Sequence, residues 1–395
     1  MVLRIKKNIL KVWAIFLLVF PHINPACVQY MWPRIATLYD IGRIASMSVV
    51  VLMLLLKRNA KLQPVVLLII LMEVWLSFTT FIHGSQTLLR NLISFASAIA
   101  IPLIMYIYAD SMDELLTALF MNYEWMIYAS LISIVLYFPY GMFQTGEIGR
   151  PQYFLGNENG IIFYALPALA LSLIRMKKDG IKLRGLLLII ACIANEVIVW
   201  CATGIVGLFA AAVLLFYMYV KRRQINYYII LFGMLFADFL ISILRILDRF
   251  WLTSYFVEEI LGKAVTLSGR TYLWDAAMPI IFNNWLTGCG RGNHIASGIF
   301  MRHAHNQYFQ ILIVGGIPLL ILFLILMFCY GRIFNNGNRN SFGKVVMLCM
   351  LTCLYIQFIA TSRVSYEVYV PLALASFSKE IDSAINARIM KHVPE

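Results

Sequence analysis

The feature that most constrains this chain is a series of apolar stretches, about 17 to 25 residues each, recurring from end to end. At about 1.5 Å per residue such a stretch spans the hydrocarbon core of a bilayer as a helix. Inside that core every backbone N–H and C=O must be satisfied within the chain, so helices are the expected form. They are expected at 8–24, 37–56, 62–82, 91–109, 120–140, 160–175, 185–201, 203–220, 226–246, 305–328, 345–362 and 366–378. The 395 residues are 62% hydrophobic and 13% charged, where soluble domains run nearer half apolar and a quarter charged. A water-soluble fold cannot hide that much apolar surface. The expected fold is all-α: a polytopic transmembrane bundle of about twelve helices, forming one domain over 1–395.

The formal charge of +13 raises nucleic acid as a partner, and its arrangement argues against one. The bases sit in short clusters between apolar runs: Arg4, Lys6, Lys7 and Lys11; Lys57, Arg58 and Lys61; Arg175, Lys177, Lys178, Lys182 and Arg184. The same pattern continues with Lys221, Arg222 and Arg223; Arg332, Arg339 and Lys344; and Lys379, Arg388 and Lys391. With the N-terminus inside, all of these clusters fall on the cytoplasmic side, as the positive-inside rule requires. That predicts cytoplasmic N- and C-termini in the inner, cytoplasmic membrane. The connection 110–122 is the exception, with acids and no bases. Pro21 and Pro25 follow the first apolar run without a small-residue cleavage site, so this run reads as a retained helix rather than a signal peptide. The seven cysteines lie mostly in apolar runs without metal-ligand spacing. No metal and no cofactor are expected.

The segment 247–304 is far longer than a usual connection and reads as a large extracytoplasmic loop carrying short helices, which makes it the working part. It holds Arg249, Lys263, Arg270, Arg291 and Arg302, against the positive-inside trend. Two explanations stand: internal ion pairs to Asp248, Glu258, Glu259 and Asp275, or an anionic ligand on the outer face.

Three local signals carry chemistry. His303-Ala304-His305-Asn306 stands directly before an apolar run containing Gly315-Gly316 and Pro318. His305 either caps backbone groups at the start of that helix or accepts a proton from a hydroxyl, since imidazole titrates near neutrality. Ser268-Gly269-Arg270 is followed by Trp274, Met278, Ile281 and Trp285 at helical spacing. This stripe suits a helix at the membrane surface or simple packing. The run Gly288 to Gly292 around Arg291 lets backbone approach closely, to a phosphate or within a turn. Finally, Arg150 to Asn159 precedes the sixth helix. There Arg150, Asn157 and Asn159 can bind phosphate or sugar hydroxyls, while either asparagine can equally cap the helix. Charged residues within apolar runs are Arg43, Glu73, Glu124, Glu196 and Asp238. Each costs about 2.5–3.5 kcal/mol at a helix centre, so they are expected to face the bundle and pair there.

Together these three sites resemble the superfamily of O-antigen ligases and Wzy-type O-antigen polymerases. The resemblance spans the outline of the whole chain and rests on Arg150 to Asn159, Ser268-Gly269-Arg270 with Trp274, Gly288 to Gly292, and His305-Asn306 with Gly316. The family's His-Asn motif ends in two glycines, and here Leu319 stands where the second belongs, which puts close helix packing there in doubt. Asn157-Glu158-Asn159 replaces the family's Asn-Pro-Asn. Ala202-Thr203-Gly204 stands where ligases often carry Ser-Arg-Gly, a tilt toward polymerase.

The resemblance implies a GT-C-like, metal-independent glycosyltransferase whose donor is an undecaprenyl-pyrophosphate-linked oligosaccharide on the outer face. His305 would then be the general base, with Arg270 and Arg150 stabilising the leaving pyrophosphate. Asn157, Asn159, Arg291, Asn306 and Trp274 would contact substrate. The product would be O-antigen, capsule or exopolysaccharide. The alternatives are a ligase with a lipid A-core or other acceptor, and a lipid-linked oligosaccharide flippase without chemistry. Membrane lipid, chain-length regulators and flippases are the implied partners.

Overall fold

A computed structural model of the chain describes residues 2–57, 61–145, 150–246, 255, 270–292, 303–338 and 341–390. Most of the 247–304 loop therefore lies outside the described residues. So do Arg249, Lys263, Arg302, Ser268 and Gly269, the acids Asp248, Glu258 and Glu259, and Arg58, Arg339 and Lys391.

The described residues are helical almost throughout. In chain order the helices are α1 Val2–Val19, α2 Ala26–Met31, α3 Pro33–Leu56, α4 Pro64–Ile82 and α5 Leu88–Ile107. Next come α6 Met112–Tyr137, α7 Glu158–Asp179, α8 Leu183–Ile198, α9 Ala202–Leu215 and α10 Tyr227–Asp238. After the long loop begins α11 Arg270–Asn283, then α12 Gln307–Asn335, α13 Phe342–Ala360, α14 Tyr366–Ser376 and α15 Ser378–Met390. Eight helices are long and apolar enough to cross a membrane, and Asn8–His22 and Tyr227–Ile243 are shorter apolar ones. The protein is thus an all-α, multi-pass membrane protein, as its apolar runs predict.

Local chemistry sets many of the ends. Pro33 and Pro64 open α3 and α4, where the missing N–H costs nothing. Thr87, Asn226 and Asn306 cap α5, α10 and α12 by accepting first-turn N–H bonds. The expected helix at 120–140 instead starts at Met112. Its acidic first turn is answered from the neighbouring helix, because Lys178 at the end of α7 pairs with Asp113. The connection without bases therefore borrows its positive charge from α7.

α7 and α13 form the centre. α7 packs on α6, α8, α13 and α15, and α13 also packs on α9 and α14. Both are mostly buried, whereas α3 is mostly exposed and turns Leu38, Ile41, Leu52, Leu55 and Leu56 outward. In a bilayer such a face meets lipid, not water.

Of the five charges within apolar runs, Arg43, Glu73 and Glu124 are ion-paired as expected. Asp238 bonds a neutral amide, and Glu196 is fully buried without an ion pair among the described residues. Glu124 meets Arg184 of α8, with Arg184 Nε donating at 2.6 Å. Glu73 accepts from Arg291 at 2.6 and 2.7 Å. Arg43 bridges Asp40 at 2.8 Å and donates to the Pro21 carbonyl at 3.0 Å. Asp238 accepts from Asn306 Nδ2 at 2.6 Å.

Candidate active site

The site is assembled at one end of the bundle from three connections. The first runs from α6 to α7. Its chain folds into a hairpin of β1 Phe143–Thr145 and β2 Arg150–Gln152, with Thr145 opposite Arg150. The hairpin stem is tied down where Met142 N donates to Gln152 O at 2.8 Å. Phe154 N donates to Ser133 Oγ at 3.0 Å and Phe154 O accepts from Cys27 N at 3.2 Å. A tight Tyr153–Gly156 bridge then delivers Asn157 to the N-cap of α7. Arg150 is exposed on this anchored strand.

The second piece is α11, which begins with Arg270. Trp274, one turn on, is 1% exposed and donates its indole N–H to Ala304 O at 3.0 Å. Its ring meets Phe309 edge-on at 6.3 Å. Trp274 therefore fixes Arg270 relative to the residue before His305. In this structure it is a packed anchor. Of the stripe, Trp274 and Ile281 are buried and Met278 packs against the core, while Trp285 is exposed.

The third piece is the start of α12. Ala304 N donates to Gln310 Oε1 at 2.8 Å. Asn306, fully buried, accepts from the N–H groups of Tyr308 and Phe309 at 2.9 and 3.1 Å and donates to Asp238. Capping thus belongs to Asn306, whose side chain is spent on the helix and on Asp238 rather than open to substrate. His305 lies between these two fixed neighbours with φ of 49°, a left-handed conformation that a non-glycine residue adopts only when its surroundings impose it.

Electrostatics bring the pieces together. Burial pushes the His305 imidazole down to about 3, and the charges of Arg270, His303, Arg150 and Arg363 push in the same direction. Arg150 and Arg270, remote in sequence, therefore lie close enough to His305 for their charges to act on it. Arg270 is itself lowered by burial and by Arg150, while Glu158 at the start of α7 opposes the shift. The free site is a concentrated positive field around a neutral imidazole. Such a field attracts an anion, and a neutral imidazole can accept a proton.

Asn159 is held locally: Nδ2 donates to Glu158 Oε1 at 3.5 Å and Oδ1 accepts the Cys201 thiol at 3.9 Å. Asn157 stands at the N-cap of α7 without a side-chain cap bond. Arg291 does not join the site. Its guanidinium Nη2 pairs with Glu73, fully buried in α4, while Nη1 is buried without a hydrogen-bond partner among the described residues.

The glycine run around Arg291 is likewise used internally. α12 breaks at Gly316, φ 66°, and frees three carbonyls. Cys289 N donates to Ile313 O at 2.6 Å, Gly290 N to Val314 O at 3.0 Å, and Trp75 Nε1 to Gly315 O at 2.7 Å. A Cβ on Gly288 would lie 2.5 Å from Gly315 N. These glycines bring backbone to backbone, not backbone to phosphate. Leu319, in place of the second motif glycine, is fully buried against Gly315.

One residue escaped the sequence reading. Arg363, in the link between α13 and α14, belongs to the cations around His305. Its only sequence signal is a lone base on the side opposite the basic clusters.

A comparison with curated proteins found no match. Residues 186–324 match a family model described as O-antigen ligase, a stretch from α8 into α12 that includes Arg270 and His305. The match covers about a third of the chain, and what it shows is that this stretch is similar to that family.

Proposed function

We propose that the protein is a polysaccharide polymerase, joining undecaprenyl-pyrophosphate-linked repeat units at the outer face of the cytoplasmic membrane. The observation that carries this reading is the gathering of Arg150 and Arg270 around His305, at the end of the bundle opposite Lys178, Lys344 and Lys379. By the positive-inside rule, the end holding the basic clusters faces the cytoplasm and the site faces out. In the reaction, the acceptor hydroxyl oxygen attacks the anomeric carbon of the donor as its proton passes to His305. The bond from that carbon to the pyrophosphate oxygen breaks, and its electron pair leaves with the pyrophosphate. Arg150 and Arg270 hold the charge that develops there, through guanidinium geometry suited to phosphate oxygens. The imidazolium afterwards releases its proton to solvent.

Ala202-Thr203-Gly204, in the first turn of α9, favours polymerase over ligase. The ligase reading stands second because the matching family model is described as O-antigen ligase. Purified protein given a lipid-linked repeat unit separates the two. Polymer on the same lipid carrier supports the polymerase, and glycan moved to a lipid A-core acceptor supports the ligase. Intact donor crossing a vesicle with no new glycosidic bond would overturn both. His305→Ala should lower turnover by about 10²–10⁴-fold while donor binding persists.

A further inference from the structure

Arg363 is the cation of this pocket that the proposed reaction has not used. Its main chain is clamped from α12: Gln307 Oε1 accepts from Arg363 N at 2.8 Å, and Gln307 Nε2 donates to Arg363 O at 2.8 Å. Gln307 is 1% exposed. The side chain thus starts from a point fixed by the first residue of α12, two residues after His305.

The guanidinium reaches across to the first turn of α7. A Cβ built on Gly160 would stand 3.0 Å from Arg363 Nη2 and 3.3 Å from Asn157 Oδ1. A side chain at this position would press on both groups. Among the described residues the Arg363 guanidinium makes no ion pair, in contrast to Arg291, which is neutralised by Glu73. Asn157 Oδ1 is buried without a hydrogen-bond partner among the described residues, and Asn157 leaves its helix without a side-chain cap.

A cation seated against the positive end of a helix dipole is unfavourable by itself. Glu158 supplies one negative charge beside it, and Arg150 and Arg270 add two more positive ones. The arrangement is balanced when an anion lies among the three guanidiniums and the first-turn N–H groups.

We propose that Arg363, seated over Gly160 at the start of α7, is a third phosphate-holding residue of the pocket and grips the pyrophosphate of the lipid-linked donor. The inference rests on the proposed function and adds to it a residue and a subsite. Because the Gln307 clamp uses only the main chain of Arg363, truncating the side chain leaves the α12 to α14 connection intact. A binding defect in the truncated protein is then a defect of the guanidinium itself.

The test is binding of undecaprenyl pyrophosphate to the purified full-length protein in nanodiscs, measured by calorimetry, with inorganic pyrophosphate and phosphatidylglycerol vesicles as separate arms. The expected result is tight binding of the lipid pyrophosphate, weakened about 10–100-fold in Arg363→Ala, the range of one charge-assisted contact to phosphate. Arg363→Lys should recover part of the loss, since it restores charge without the paired donors. Gly160→Ala should weaken binding in the same direction, with thermal unfolding run alongside to verify its fold. Binding lost in Arg270→Ala but kept in Arg363→Ala overturns this inference alone. Wild-type protein indifferent to both pyrophosphate probes overturns it together with the function beneath it. Phosphatidylglycerol competing as well as pyrophosphate would also overturn it, marking a general lipid headgroup site.

Discussion

His305 is the residue on which the proposed chemistry turns, and its surroundings set a testable pH response. Burial and then the charges of Arg270, His303, Arg150 and Arg363 push its imidazole from 6.5 to about 3. Between those values the folded protein binds fewer protons at His305 than the unfolded chain does. Stability from this group is therefore full above pH 6.5 and lost as pH falls toward 3. Isotope-labelled imidazole followed by NMR should show a neutral ring down to about pH 4. Adding pyrophosphate should move the titration upward, because an anion among the guanidiniums cancels the repulsion that keeps the ring deprotonated. A ring that titrates near 6.5 in the free protein would contradict this electrostatic account. Arg291 gives a second residue-scale expectation. Arg291→Ala leaves Glu73 charged and alone in α4 and should cost about 3–5 kcal/mol in unfolding experiments. Replacing both partners together, Arg291→Met with Glu73→Leu, should recover most of that, since no buried charge is then stranded.

At the scale of elements, the break in α12 is the feature least replaceable by another sequence. Gly316 has φ of 66°, and a Cβ there would collide with the Leu286 carbonyl. Gly316→Ala should therefore destabilise by about 1–3 kcal/mol from backbone strain alone, read as a lower unfolding temperature in detergent. The Trp285–Gly292 turn should lose hydrogen-exchange protection at Cys289 and Gly290, whose N–H groups bond the freed carbonyls. The sequence marked Gly315-Gly316-Pro318 and Gly288 to Gly292 as unusual, but not that they answer each other. Glycine runs look alike whether they approach phosphate or backbone, and only the fold brings residues 288 and 315 together. The same reason hid Arg363. A lone arginine in a short link has no pattern of its own, and its meaning comes from Gly160 and Gln307, which lie 203 and 56 residues away along the chain. By contrast, most of the membrane-spanning helices were legible from the chain, because bilayer thickness and the need to satisfy backbone groups fix their length and composition. The short helix Ala26–Met31 and the polar helix Ser378–Met390 were not. The sharpest departure, the early start of α6 at Met112, follows from a long-range pair with Lys178 that local hydropathy does not register.

For the whole molecule, the two ends of the bundle differ in charge, and the proposed function requires that difference to set its orientation. One end holds Arg150, Arg270, His305 and Arg363 around an anion-attracting pocket. The other holds Lys178 paired with Asp113, and Lys344 and Lys379 around a cleft of about 710 Å³. Topology is set by bases near helix ends in short connections, which stay on the cytoplasmic side. The pocket's arginines are exempt, because they come from a long loop, an anchored hairpin and a single link rather than from basic clusters. Labelling on intact cells tests this. Tyr140, 76% exposed just after α6, lies at the pocket end. Ile181, 84% exposed between α7 and α8, lies at the other. Six of the seven native cysteines are buried, and Cys329 is only partly exposed, so background reaction is low. Tyr140→Cys should react with an impermeant thiol reagent on intact cells, and Ile181→Cys only after the membrane is opened. The reverse pattern would put the arginine pocket in the cytoplasm, away from any donor displayed outside. The same geometry would then have to serve a cytoplasmic anion, and the polymerase reading would fall while the fold stood unchanged.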